Sequence, residues 1–347
     1  MRITTTLPQR DLRLVADAAR AAEAAGFDGV VTLENRHEPF LSLGVAATVT
    51  ERLSLATGVA IAFPRSPMVT ASTSWDLQVA SRGRFVLGIG PQVRAHNEKR
   101  FSVPWSPPAP RLREYVKAMR AIWRNWETGE KLRFEGEHYK FTLMTPNFVP
   151  ETLHLPPVPV TLAAVGPHSL RLSGEVADGV RLHAFNTRRY QETMVMPRLA
   201  EGWTKSGRTR ERFEIHGGGF VATGPDEQAV AKQVEWVRMR VAFYGSTPAY
   251  WPVLEAHDLG DLGRKLNAMS KKGEWDAMTR EISDDVVRLF AAVGTHREIT
   301  SAIATRFEGS DSISASATAE AGSDLPPDVI QDIQRIGTAF AGFPTAW

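Results

Sequence analysis

Three short polar clusters carry the residue types that can hold a ligand or move a proton. Glu34-Asn35-Arg36-His37-Glu38 stands between an apolar run and an apolar helix. A carboxylate beside an imidazole at such a junction suits proton transfer, or hydrogen bonding to the edge of a ring. Gln92-Val93-Arg94-Ala95-His96-Asn97-Glu98 offers an amide, a guanidinium and an imidazole. Gly166-Pro167-His168-Ser169 follows the apolar run VTLAAV, where the amides of a starting helix, a hydroxyl and an imidazole converge on a candidate phosphate site. For the first two clusters the competing reading is a solvated loop with an ordinary ion pair.

Much other chemistry is excluded. The chain has no cysteine, so thiolate nucleophiles, disulfides and cysteine-ligated metals are ruled out, and any electrons come from a bound cofactor. Its nine histidines are scattered and form no His-x-His pair, so no metal site is expected. A G-x-S-x-G elbow and a P-loop are both missing. The formal charge of +2 comes from 41 basic and 39 acidic residues spread along the chain, which points away from nucleic acid and membrane partners. No signal-peptide pattern opens the sequence and no apolar run approaches the roughly 20 residues that span a bilayer. A cytoplasmic enzyme acting on a small-molecule substrate is the expectation.

The elements that position these clusters alternate. Leu12, Val15, Ala19 and Ala22 recur at helical spacing and Gly26 stands where the helix should end. An Asp-Gly turn and an apolar strand follow, and the same grammar returns at 175–185. Leu112, Val116, Met119, Trp123 and Trp126 form one stripe on a helix whose first turn holds Pro110. Pro225 is expected to open a helix striped by Val230, Val234, Val237 and Val241. Thr295 and Glu298 suit a capping box on a helix ending near Phe307. Strands are expected at 2–6, 29–33, 54–60, 85–89, 159–164, 179–183, 213–222 and 312–318. Eight strands with intervening helices give a (β/α)8 TIM barrel of the α/β class, in one domain over 1–347. Two stretches, 128–158 with a candidate hairpin and 244–283, stand outside the alternation as insertions of the kind that wall a site. A doubly wound sheet would place a glycine fingerprint after the first strand, and LPQRDL has none. A barrel binds ligands at the carboxyl ends of its strands, where this chain places Gly58, Gly88, Gly90, Gly166 and the run Gly217 to Gly219.

AEAAGFDGVVTLEN, LSLATGVAIAFPRSP, WDLQVASRGRFVLGIG, the helix over 111–123 and PPVPVTLAAVGPHSLRLSGEVADGV together resemble the luciferase-like barrels. They are most similar to the coenzyme F420-dependent oxidoreductases among them. The resemblance covers nearly the whole chain. It implies a non-prolyl cis peptide at Gly58-Val59 backing the cofactor ring, with Ala60 beside it. It also implies cofactor contacts from Glu34, Asn35, Gly90, Gln92 and His183, and a phosphate held by Val165, Gly166, Pro167, His168 and Ser169. Glu34, His37, Gln92 and His96 take the catalytic positions. Related sugar-phosphate dehydrogenases carry a glutamate where this chain has Gln92, which cannot donate a proton at neutral pH, so protonation falls to His37, His96, Glu34 or solvent. The implied activity is hydride transfer at C5 of F420, by a homodimer. FMN in a two-component monooxygenase, and a non-catalytic flavin or deazaflavin carrier, are the alternatives. Phe63, Trp105, Tyr250 and Trp251 hint at an apolar or planar substrate.

Overall fold

Eight parallel strands close on themselves in the computed structural model, which describes residues 1–315 and 323–347. They are β1 (Arg2–Thr6), β2 (Gly29–Thr32), β3 (Ser54–Thr57), β4 (Phe85–Gly90), β5 (Val160–Ala164), β6 (Gly179–Leu182), β7 (Glu214–His216) and β8 (Ser312–Ser314). Each bonds to the next, and β8 bonds back to β1 through Arg2↔Ser312 and Ile3↔Ile313. The fold is the expected (β/α)8 barrel. The expected continuation of the last strand to 318 lies outside the described residues.

The surrounding helices are α1 (Val15–Ala25), α2 (Leu41–Val49), α3 (Pro67–Ala80), α4 (Pro108–Thr128), α5 (Pro167–Val176), α6 (Met196–Ser206), α7 (Glu227–Gly245), α8 (Ile299–Arg306) and α9 (Pro327–Gln334). Gly26 ends α1 in the left-handed region at φ 94°, as its position suggests. The stripe of α4 is wider than the sequence spacing implies, because Tyr115 and Ile122 are buried beside Leu112, Val116, Met119, Trp123 and Trp126. Trp123 is 1% exposed and donates its indole N–H to Ala71 O at 3.1 Å, so truncation there costs about 3–5 kcal/mol.

Three expectations are corrected. The strand expected over 213–222 is two strands, β7 and a separate one at Phe220–Gly224, because the chain turns at Gly217 to Gly219. The second piece leaves the barrel and pairs in parallel with Ala291–Thr295, a strand the sequence reading missed. At α7 the cap is Asp226, whose side chain accepts from Ala229 N, and Pro225 lies outside the helix. Glu298 does bond back to the Thr295 N–H and hydroxyl, at 3.0 and 2.8 Å, although α8 itself starts at Ile299.

Both irregular stretches have structure. Phe134–Glu135 and Lys140–Phe141 form the hairpin in the first. Glu114 of α4 fastens it by accepting the N–H groups of Glu137, His138 and Tyr139 at 3.0, 2.8 and 3.3 Å. The second holds helices at Trp251–Glu255, Gly260–Lys271 and Trp275–Arg280. Side chains alternate across each barrel strand. On β6, Val180 and Leu182 join the core under the helices, which leaves Arg181 facing the lumen. Val31, Ala56 and Val86 pack together with Phe343 of the C-terminal tail. Among the described residues, no helix is long and apolar enough to cross a membrane.

Candidate active site

At the end of β3 the Gly58–Val59 peptide is cis, as the resemblance implies. Gly58 N donates to Thr32 O at 2.7 Å, and a Cβ on Gly58 would stand 2.4 Å from Val31 Cγ1, so only glycine lets the two strands approach this closely. The chain then returns to β4 through Ala60↔Ile89 and Ile61↔Gly90. Val59 leans toward Gly90, where a Cβ would meet Val59 Cγ2 at 3.0 Å. Val59, Ala60 and Gly90 thus form one continuous wall at the carboxyl end of neighbouring strands.

The polar loop after β2 is mostly engaged with itself. Glu34 takes the Arg65 guanidinium at 2.7 and 3.0 Å and the Ile61 N–H at 2.6 Å. The Glu34 side chain is 9% exposed, so this is a largely desolvated pair. Glu38 accepts the N–H groups of Phe40 and Leu41 at the start of α2. Asn35 is exposed; its Oδ1 receives the Arg36 N–H and its carbonyl receives Arg100 at 2.6 Å. Gln9 braces the loop, donating to Leu33 O and accepting Leu33 N. His37 alone is half-buried with no hydrogen-bond partner among the described residues. Sequence reading missed Arg65 and Gln9, which lie 31 and 24 positions from the residues they hold.

After β4 the structure separates what the sequence grouped. Gln92 adopts the left-handed region at φ 58°, and its Oε1 accepts the Val93 N–H at 2.8 Å. His96 sits on an exposed turn of the short helix Arg94–Lys99, beside the Arg94–Glu98 pair. The buried member is Asn97, whose amide donates to Pro91 O and Val93 O and ties the turn down.

The turn after β5 is different. Gly166 caps α5 in an extended conformation with Pro167 in the first helical position. The Ser169 hydroxyl donates to Gly166 O at 2.9 Å and accepts Val165 N at 3.3 Å, while Tyr190 braces Val165 O. No acceptor among the described residues meets the main-chain N–H groups of Gly166, His168 and Ser169. A Cβ added at Gly166 would meet nothing within 4 Å. Free amides at a helix start beside open space suit an anion.

His183, past the end of β6, is drawn toward the second insertion. Phe185 N donates to its Nδ1 at 3.0 Å, its ring stacks on Tyr250 at 4.6 Å, and Tyr244 meets it edge-on at 4.7 Å. Burial first, then the Arg240 charge, push its pKa down to about 4. The neutral ring therefore carries its proton on Nε2, 3.3 Å from Tyr250 Oη. Of the aromatic residues expected at the mouth, Tyr250 meets His183 just past the end of β6. Phe63 is packed under Arg111 at 4.4 Å, and Trp251 bonds back to Gly245 O. Gly217 to Gly219 form a packed seam, since a Cβ on Gly218 would stand 2.1 Å from His183 O.

Inside the barrel, Arg181 donates through Nε to Thr161 Oγ1 at 3.2 Å. His216 pairs with Ser312 through Nδ1 at 2.9 Å, and burial together with Arg181 and Arg2 holds its pKa well below the usual value. Sequence reading passed over both. The available signal was parity, because a polar residue inside a short apolar strand of a barrel points into the lumen. An opening of about 1360 Å³ lies beside the barrel between α7, α8 and residues 187–192, away from the cis peptide.

The family model described as luciferase-like monooxygenase matches residues 2–312. An uncharacterized protein of Mycobacterium tuberculosis is 47% identical over 309 residues, covering 89% of this chain and 91% of that protein. The 5,10-methylenetetrahydromethanopterin reductase of Archaeoglobus fulgidus is 28% identical over 329 residues, 92% of each chain. Among solved structures, the coenzyme F420-dependent tetrahydromethanopterin reductase from Methanopyrus kandleri superposes with a TM-score of 0.76 at 21% identity, covering 96% of this chain and 97% of that one.

Proposed function

The chain belongs to the luciferase-like monooxygenase family, and from that premise we propose that it is a coenzyme F420-dependent oxidoreductase acting on a small apolar or planar organic substrate. The observation that carries this reading is a pair of strand ends: the cis wall at Gly58–Val59 and the turn at Gly166–Ser169 with its unspent amides. A flat wall and an open anion cradle on one face of a barrel fit a tricyclic ring bearing a phosphorylated side chain. The similarity to a reductase over 92% of each chain favours the deazaflavin. When bound, that group supplies a carbon centre for reversible hydride transfer, and the protein supplies orientation and shielding.

The residues divide the work. Gly58, Val59, Ala60 and Gly90 back the ring, while Val165, Gly166, Pro167, His168 and Ser169 take the phosphate. Glu34 acts at one remove: bound to Arg65 and Ile61 N, it fixes the strand after the cis bond and leaves no free carboxyl for proton transfer. His37, untied in the same loop, is the group that exchanges a proton with the substrate. Gln92 and Asn35 contribute polar edges, and His183 a neutral wall braced by Tyr250. His96 lies outside this machinery. The homodimer stays part of this reading, with Leu41, Val69 and Val79, apolar residues exposed on α2 and α3, open to cover by a second copy.

FMN is the second reading, favoured by the monooxygenase description of the family model. Titrating the purified protein with F420 and with FMN, each oxidised and reduced, separates the two. Binding of F420 with weak or no FMN binding is expected, and the reverse order makes the protein a flavin monooxygenase. Binding of F420 without turnover of any alcohol, aldehyde or imine tested would turn the reading toward a carrier.

A further inference from the structure

Arg181 lies on β6, yet it reaches past β5 to β4 and the end of β3. A Cβ placed on Gly58 would stand 3.5 Å from Arg181 Nη1, and one on Gly88 would stand 2.9 Å from Nε. Gly58 and Gly88 belong to the third and fourth strands of the barrel, which do not pair with β6. The guanidinium therefore extends through the lumen over two further strands and ends beside Gly58 of the cis peptide, in space kept clear by two glycines. Thr161 fixes it from below through Nε, and neither Nη group has an acceptor among the described residues.

Its charge has no direct ion-pair partner among the described residues. Among the described residues the other lumen ions are Arg2 and Glu214, already paired with each other at 3.1 Å. Glu214 acts on Arg181 only at a distance and is opposed there by Arg2. His216, next to Arg181 in register on β7, is held neutral with Ser312. β3, β4 and β5 present Gly58, Gly88, Thr161 and Ala163 to the guanidinium, none of them acidic. A largely buried charge without a direct partner is costly, and a bound anion beside it would relieve that cost.

We propose that Arg181 is the counter-ion of the cofactor ring, holding the bound ring as its anion. The inference rests on the F420 reading and deepens it. The 8-hydroxy-5-deazaflavin ring is a weak acid whose anion is conjugated from the 8-oxygen to the N1–C2=O edge. A fixed guanidinium beneath the ring favours that form over the protonated one. An opposite charge within about 4–6 Å commonly lowers an acid by about 1–3 pH units.

The test reads the ring itself and needs no substrate. Oxidised F420 is bound to the wild-type protein, to Arg181→Gln and to Arg181→Lys, and the absorbance of the ring is followed against pH. Wild-type protein is expected to hold the ionisation midpoint at least about one pH unit below that of free F420. The glutamine variant should return it toward the free value, and the lysine variant should restore part of the shift. Thermal melting of each variant separates a folding failure from a lost charge, and the lysine variant keeps the test open should glutamine not fold. An unmoved midpoint in wild-type protein that binds F420, or the same midpoint in all three proteins, would overturn the role of Arg181 alone. Absence of F420 binding by the wild-type protein would overturn the cofactor reading and this inference together.

Discussion

The loop after β2 and the turn after β5 stand at equivalent positions on one barrel face, yet they treat their polar atoms in opposite ways. Glu34, Glu38, Gln9 and Arg65 spend nearly all their hydrogen-bonding capacity on one another and on the loop backbone. The turn at Gly166 leaves main-chain amides unspent and clears the space in front of them. Richness in charged side chains therefore marks scaffolding in the first case, and a plain glycine-proline turn marks the binding site in the second. Unsatisfied capacity, more than polarity, distinguishes a site from its support.

The largest test of that contrast is Arg65→Ala. It strands a carboxylate that is 9% exposed, so it should lower folding stability by about 3 kcal/mol in urea denaturation. A change below about 0.5 kcal/mol would show that the loop is not held by this pair. Next comes acidification. His183 is neutral in the folded barrel, with its pKa held down to about 4 from the ordinary 6.5, so the unfolded chain binds the extra proton between those values. Stability is whole above pH 6.5 and falls as pH drops toward 4, with His183 contributing about 3 kcal/mol of the loss. His183→Phe should flatten that slope in melts at pH 7 and pH 4.5; an equally steep fall would place the acid sensitivity elsewhere.

Gly166→Phe probes the other side of the comparison. Because no atom lies within 4 Å of an added Cβ, stability should hold within about 0.5 kcal/mol. F420 affinity should nevertheless drop tenfold or more, about 1.4 kcal/mol, in a fluorescence titration. Undiminished affinity would remove the phosphate from this turn. The smallest effect is expected at His96→Ala, which should leave kcat and KM within twofold. A large loss of kcat would return that exposed imidazole to the machinery.

The barrel was legible because each strand announces itself twice, by an apolar run and by a glycine or Asp-Gly punctuation. The cis bond was legible only through resemblance, since no local pattern in GVAIAF demands it. What escaped was long-range pairing. Nothing near Glu34 reveals that Arg65 will take it, and nothing near Gly58 reveals that Arg181 approaches through the lumen. The split of 213–222 escaped because both halves are apolar and β-prone, and only the close packing of Gly218 against His183 O forces the chain to turn. The strand at Ala291–Thr295 escaped because AAVGT is short and weakly patterned, and becomes a strand only by pairing with Phe220–Gly224.

That outlying pair has a consequence for how this architecture can diversify. Phe220–Gly224 and Ala291–Thr295 form a two-stranded parallel ladder that, among the described residues, stands apart from the barrel sheet. Everything from α7 to the strand's return hangs between them, including Tyr250, which touches His183. Such a crossover is a cassette: its helices can lengthen, shorten or be exchanged between relatives while the eight closed strands keep their register. A lineage could then acquire a new substrate simply by rewriting 244–283, and an engineer wishing to redirect this protein would graft there first.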